Sequence, residues 1–219
     1  MATRVGINGF GRIGRAFLRR ALEHGDLDVV AVNDVTDART LAHLLEFDST
    51  YGRLGQAVGY EPGSLTVGGK HVAVTSQRDP AAIDWGELGV SVVVESTGKF
   101  RAREDAALHL KGGARKVLIS APGKAADLTM VVGVNDAEYD PQRHDVISAA
   151  SCTTNCVVPM AKVLHESFGD IIGDPASCVF DSGLTQAAGS LVKVFGWYDN
   201  EWGYTCRLAD LAAMVGAQL

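Results

Sequence analysis

Residues 3–14 read Thr-Arg-Val-Gly-Ile-Asn-Gly-Phe-Gly-Arg-Ile-Gly, and this stretch decides the fold. The segment 3–8 is a short apolar run that predicts a buried strand. Ile13, Phe17, Leu18, Ala21 and Leu22 then recur at helical spacing across 12–25. Between them stand Gly9, Gly11 and Gly14. In a strand–turn–helix unit the first glycine allows the tight turn, the second lets the backbone approach a pyrophosphate, and the third lets helix and strand pack closely. Free N–H groups at the start of the helix then hold the anion. A second buried strand at 28–34 ends in Asp34, 20 residues beyond Gly14. A carboxylate there accepts hydrogen bonds from a ribose diol and repels a 2′-phosphate, which favours NAD over NADP. A glycine turn with no ligand is the competing reading, and strand, glycines, helix, strand and acid in this order weigh against it.

Working outward, the spacing predicts a helix over 38–47 and two short β runs, SLTV and KHVAVTS, joined by Gly68-Gly69 as a hairpin. A strand over 91–97, a helix over 104–111 and strands over 116–121, 130–134 and 145–150 follow, then a helix from about Thr153 to Phe168. Short buried strands alternating with amphipathic helices predict an α/β domain with a mostly parallel sheet. The last 50 residues differ. Segments 177–182 and 190–199 read as antiparallel strands, and 200–217 as a closing helix with Tyr204, Leu208, Leu211, Ala212 and Val215 on one face. Two strands and a helix do not make a domain of their own.

Composition narrows the function classes. At roughly 150 residues per domain, 219 residues hold one to two domains. Hydrophobic residues at 47% and charged residues at 21% match a folded globular chain rather than a disordered one. A net charge of −6 argues against nucleic acid or anionic membrane as partner, since both call for basic surface. No apolar run nears the roughly 18 residues of a membrane span, and MATRVGINGFGRIGR lacks an apolar signal core, so the cytoplasm is the expected compartment.

The four cysteines, Cys152, Cys156, Cys178 and Cys206, have neither CxxC nor zinc-finger spacing, so no disulfide framework or structural metal is expected. Ser151-Cys152-Thr153-Thr154-Asn155-Cys156 joins a strand to a helix. At a helix N-terminus the macrodipole and free N–H groups favour a thiolate at Cys152, and the hydroxyls of Ser151 and Thr153 could bind an anion. A buried structural cysteine is the other open reading for Cys152. Cys156, one turn on, reads as packing.

Taken together, INGFGRIGR, ND at 33–34, SQRDP at 76–80, ESTGKF at 95–100, SAPGK at 120–124, AASCTTNC at 149–156 and GWYDNEWGYT at 196–205 resemble the phosphorylating glyceraldehyde-3-phosphate dehydrogenases, densely over 3–169 and again over 170–215. The resemblance implies a Rossmann-type, mostly parallel sheet with helices on both faces over 1–151. It implies a remnant of an antiparallel catalytic domain over 152–199 and a helix over 200–219 that docks back on the first unit. Arg12 and Ile13 would line the phosphate turn, Asp34 would hold the adenosine ribose, and Arg78 would lie near the adenine. Thr97, Gly98, Ser120 and Ala121 would follow the cofactor along the strand ends, and Asn200 would bind the nicotinamide carboxamide with Tyr204 nearby. Cys152 would attack the aldehyde, the hydride would pass to NAD, and inorganic phosphate, bound by Ser151 and Thr153, would release the acyl group of glyceraldehyde 3-phosphate. Taken one by one, Arg78 also reads as a solvated loop charge, Asn200 as a helix cap, Thr97-Gly98 and Ser120-Ala121 as ordinary turns, and Trp197 and Trp202 as packing.

The pattern breaks after HESFG at 165–169. Family chains are roughly half as long again, and here the sequence passes directly to DIIGDPASC, with the join at Gly169–Asp170. The skipped block in the family carries a catalytic histidine, phosphate-site arginines and a loop that packs on a neighbouring subunit. His165 lies 13 residues beyond Cys152, about 20 Å along a helix. No general base is visible, and losing one costs on the order of 10² to 10⁴ in rate. Three readings stand: an active dehydrogenase whose missing segment lies outside this sequence, a NAD-binding protein with a reactive cysteine and little turnover, and a structural or interaction module. Phe180, Val192, Val194, Phe195 and Trp197 are expected to lose part of their cover, so either the chain forms a homo-oligomer through this surface, the expected outcome, or the tail re-docks on the cofactor domain. Cys206 could be an introduced thiol, neutral drift or an intersubunit contact.

Overall fold

The computed structural model describes residues 2–163, 175–188 and 191–218. The strands are β1 (Thr3–Asn8), β2 (Leu27–Asn33), β3 (Phe47–Asp48), β4 (Gly52–Arg53), β5 (Val58–Glu61), β6 (Ser64–Val67), β7 (Lys70–Thr75), β8 (Val92–Glu95), β9 (Lys116–Ile119), β10 (Leu128–Thr129), β11 (Val146–Ser148), β12 (Val179–Ala188) and β13 (Leu191–Trp197). The helices are α1 (Arg12–Glu23), α2 (Ala38–Glu46), α3 (Arg103–Ala106), α4 (Leu108–Lys111), α5 (Cys152–Val163) and α6 (Trp202–Ala217).

Nine strands form one sheet in the order β10-β11-β9-β8-β1-β2-β7-β6-β5. The seven from β10 to β7 run parallel, and β6 and β5 add an antiparallel edge. Strands buried on both faces need continuous apolar runs, and Val92, Val93 and Val94 at the centre are fully buried. The two-residue turn at Gly68 (φ 55°) and Gly69 (φ 83°) joins β6 to β7. Positive φ at both positions matches the twist of a hairpin, and glycine meets it without strain. A separate antiparallel ribbon pairs β12 with β13. Helix α6 returns to pack on α1 and against β1, β2 and β8, burying Tyr204, Leu208, Leu211, Ala212 and Val215 as their spacing predicts.

Three expectations are corrected. The strand expected over 130–134 is instead β10 at Leu128–Thr129, followed by a turn. Met130 and Val131 are buried and read as strand. However, Gly133 sits at φ 82°, and the Asn135 side chain accepts from Val131 N and donates to Thr129 O, which closes the chain on itself. The helix expected over 104–111 is divided at Ala107 into two single turns. Helix α5 starts at Cys152 rather than Thr153. The expected extension to Phe168, His165 and the Gly169–Asp170 join all lie outside the described residues. No helix among the described residues is long and apolar enough to cross a membrane.

Candidate cofactor cleft and nucleophile turn

Strand β1 has β2 on one side and β8 on the other, so connections leave it in both directions. Such a switch point opens a crevice at the carboxyl ends of parallel strands. Here the crevice has a volume of about 270 Å³, and Gly9, Gly11, Asp34, Arg78 and Thr97 are among its walls. Gly9 has φ 91°, and a Cβ there would lie 2.7 Å from Thr97 N. A Cβ at Gly14 would strike the Gly9 carbonyl oxygen, whereas one at Gly11 would meet nothing within 4 Å. Two glycines are therefore required by the fold, and the third leaves open space beside the start of α1. No side chain caps that helix, and its first turn carries no acid, so its N–H groups face an approaching anion without competition.

Asp34 is fixed at the rim. Its Oδ2 accepts from Phe10 N at 2.8 Å and its Oδ1 from Thr36 N at 2.9 Å. A carboxylate has about four acceptor sites, so two stay open for a ribose diol. Arg78 is exposed at the mouth. Gly98 is exposed, has φ 72° and faces open space. Ser120 N and Oγ both donate to the Glu95 carbonyl at 3.0 Å, and Ala121 O accepts from Ser148 Oγ at 2.8 Å. An open helix start, a space that a Cβ would fill and a carboxylate with free acceptors fit a dinucleotide.

Other expected residues sit apart from this crevice. Arg12 is turned to the closing helix, where its guanidinium pairs with Glu201 at 2.7 Å, and Ile13 packs on the apolar core. Asn200 is not the cap of α6, because Asp199 Oδ1 receives Glu201 N at 2.9 Å and Trp202 N at 2.8 Å. Asn200 is exposed beside it. Trp202 packs on Tyr51, with ring centroids 5.5 Å apart.

The nucleophile turn begins at Ala150, held in the left-handed region at φ 58°. Ser151 Oγ accepts from Thr154 N at 2.9 Å and so caps α5, making Cys152 the first helical residue. The Ser151 hydroxyl, expected at an anion site, is engaged in this cap, while Thr153 is exposed. Cys152 is half-buried and packs on the same apolar group as Tyr204. Burial, and after it the Cys152 charge, pushes the Tyr204 phenol up, and its hydroxyl has no hydrogen-bond partner among the described residues. No described side chain hydrogen-bonds the Cys152 thiol. Cys156 is buried, with its Sγ 3.5 Å from Cys178 Sγ and 3.6 Å from Met160 Sδ, which bears out its packing role. Burial pushes the Cys178 thiol up to about 12. Cys206 is fully buried within the fold, which removes the intersubunit reading of that residue.

Sequence reasoning missed Glu95. It is 2% exposed, yet its side chain receives Thr97 N at 2.8 Å beneath the crevice. A lone acid in an apolar strand was the available signal, since an unpaired buried carboxylate is costly.

Comparison with known proteins agrees with this geometry. Residues 3–103 match the family model described as glyceraldehyde 3-phosphate dehydrogenase, NAD binding domain. The chain is 40% identical to the glyceraldehyde-3-phosphate dehydrogenase of Streptomyces coelicolor over 336 aligned positions that cover all of both chains. With 219 residues here, at least 117 of those 336 positions have no counterpart in this chain. It is 60% identical to the Geobacillus stearothermophilus protein of that name over 173 residues, which is 79% of this chain and 52% of that one. Against Bacillus subtilis glyceraldehyde-3-phosphate dehydrogenase 1 the figures are 57% over 169 residues, 77% and 50%. The crevice, its glycines and these matches lead to one conclusion: the chain belongs to the glyceraldehyde-3-phosphate dehydrogenase family, as a short member with NAD as its cofactor.

Proposed function

We propose that this chain binds NAD and presents Cys152 as a nucleophile, but performs the phosphorylating oxidation of glyceraldehyde 3-phosphate weakly or not at all. The observation that carries the first half is the crevice at the β1–β8 switch point, with Gly11 facing open space and two acceptor sites free on Asp34. In this reading Arg12, Ile13 and Gly14 order the phosphate turn, Asp34 holds the ribose, and Arg78 borders the adenine. Thr97, Gly98, Ser120 and Ala121 follow the cofactor, and Asn200 and Tyr204 flank its nicotinamide end. NAD, when bound, supplies the hydride acceptor. The Cys152 sulfur adds to the aldehyde carbon, and Ser151 and Thr153 contact inorganic phosphate.

The second half is supported by two facts. No described side chain hydrogen-bonds the Cys152 thiol, and the Streptomyces alignment leaves at least 117 positions without a residue here. With no base beside Cys152 among the described residues, proton removal in this reading falls to water, at a cost on the order of 10² to 10⁴ in rate. In this reading the chain is organised as a cofactor unit over 1–151, a shortened catalytic remnant over 152–199 and a docking helix over 200–219. It works in the cytoplasm and self-associates through its ribbon. The test is steady-state NADH formation with glyceraldehyde 3-phosphate and phosphate. Turnover at least a hundredfold below that of a full-length relative is expected, and turnover within tenfold of it contradicts the proposal.

A further inference from the structure

A connected set of buried polar groups lies beneath the cofactor crevice. Trp85 is fully buried, and its Nε1–H donates to His109 Nδ1 at 2.9 Å. An indole N–H can only donate, so Nδ1 carries no proton and the ring proton sits on Nε2. That Nε2–H donates to Glu95 Oε2 at 3.0 Å, and Asn8 Nδ2 donates to the same oxygen at 2.5 Å. The other oxygen, Oε1, receives Thr97 N at 2.8 Å and the Thr97 hydroxyl. All four acceptor sites of the carboxylate are thus filled, while the main-chain carbonyl of Glu95 holds Ser120. On the far side Asn8 Oδ1 accepts from Asn33 Nδ2 at 2.8 Å, and Asn33 Oδ1 accepts from Gln77 N at 2.7 Å. Asn8, Asn33, Gln77 and Thr97 all line the crevice.

A buried carboxylate and its partners are weak evidence of a stability role, because well-packed apolar groups of similar volume often stabilise a fold as much or more. This one ties the crevice wall of β1, through Asn8, to the Thr97 segment that follows β8, and Asn8 carries the link on to Asn33 of β2. We propose that Glu95 and His109 are positioning residues of the cofactor site. Glu95 holds the Thr97 segment and Asn8 in the arrangement that receives the dinucleotide, and His109, oriented by Trp85, holds Glu95. The proposal rests on the NAD reading of the crevice. The donor arrangement is locked. His109 cannot exchange its ring proton while Trp85 donates to Nδ1, and Asn8 cannot flip while Asn33 donates to its oxygen. Glutamine at position 95 offers one acceptor oxygen, and its NH₂ must face either Thr97 N–H or the fixed donors of His109 and Asn8.

Calorimetric NAD titrations and thermal melts of the unsubstituted chain, Glu95→Gln, His109→Leu, His109→Gln and Leu65→Ala test this. Leu65 is a fully buried residue on β6, at the antiparallel side of the sheet, and serves as a stability control. Glu95→Gln and His109→Leu are expected to weaken NAD at least tenfold. His109→Gln, which restores a donor toward Glu95, is expected to bind within threefold of the unsubstituted chain. Leu65→Ala is expected to melt lower yet bind within threefold. Unchanged affinity in Glu95→Gln and His109→Leu overturns the proposal, as does a loss in Leu65→Ala as large as in His109→Leu. Absence of NAD binding by the folded unsubstituted chain overturns the cofactor reading itself. Nitrogen-15 NMR of His109 in the unsubstituted chain decides the matter if the variants do not fold: a proton on Nε2 supports the network, and a proton on Nδ1 overturns it.

Discussion

Replacing Asp34 probes the cofactor site where its geometry is best defined. The carboxylate already accepts Phe10 N at 2.8 Å and Thr36 N at 2.9 Å, so two acceptor sites are left for a ribose diol. Hydrogen bonds to a charged acceptor contribute roughly 1.5–3 kcal/mol each. Asp34→Ala removes two of them from the complex and also releases the Phe10 N–H that shapes the glycine turn. Water recovers part of the loss, leaving about 2–4 kcal/mol, and hence an NAD dissociation constant higher by a factor of roughly 30 to 1,000. Asp34→Asn is not conservative here. Its single acceptor oxygen cannot serve both N–H groups, and its NH₂ confronts one of them. It is expected to weaken NAD at least tenfold and to lower the melting temperature. NADP binding, opposed by the carboxylate in the unsubstituted chain, is expected to fall less, so the NAD to NADP preference narrows. Calorimetric titration with both nucleotides, beside thermal melts by circular dichroism, reads all of this. An Asp34→Ala protein that melts normally and binds NAD within threefold of the unsubstituted chain would refute the reasoning.

Three further outcomes follow. Gly14→Ala drives a Cβ into the Gly9 carbonyl and is expected to lose about 1–3 kcal/mol in chemical denaturation, whereas Gly11→Ala meets nothing, keeps its stability and loses at least tenfold in NAD affinity by filling the space beside α1. At Asp127 burial acts to raise the carboxyl, but Arg103 and the N–H groups of Val146 and Asp145 outweigh it and hold the group below its ordinary range. Its contribution to stability is therefore present above the unfolded value of about 4 and lost as pH falls through the folded one, so Asp127→Asn is expected to flatten the acid limb of a melting-temperature profile below about pH 5. Leu191 and Val192 are 72% and 52% exposed on the ribbon; the double change Leu191→Ser with Val192→Ser is expected to shift sedimentation toward a smaller species, and an unchanged distribution would remove the ribbon from the association surface.

What the sequence disclosed depended on whether the deciding contacts were local. The glycine turn, Asp34 and the Gly68-Gly69 hairpin are legible because their geometry is set within a few residues and because glycine is required at positive φ. The mostly parallel sheet is legible because buried parallel strands need short apolar runs, but those runs do not set the order of the strands, which the fold alone shows. Val131 misled the reading, since a buried valine before a turn looks like one within a strand, and the Asn135 side chain that closes the turn acts through its backbone partners. Glu95 was invisible for another reason. Its partners Asn8 and His109 stand 87 and 14 residues away; Asn8 meets it only once β1 pairs with β8, and His109 reaches it from α4. Asn200 was ambiguous until the fold placed the neighbouring Asp199 at the start of α6 and left Asn200 exposed.

The central claim is that a short member of this family keeps a working dinucleotide crevice. Calorimetric titration of the folded 219-residue chain with NAD tests it most directly. The account predicts saturable heat with one NAD per chain, and a folded sample that gives no heat at millimolar NAD would contradict it.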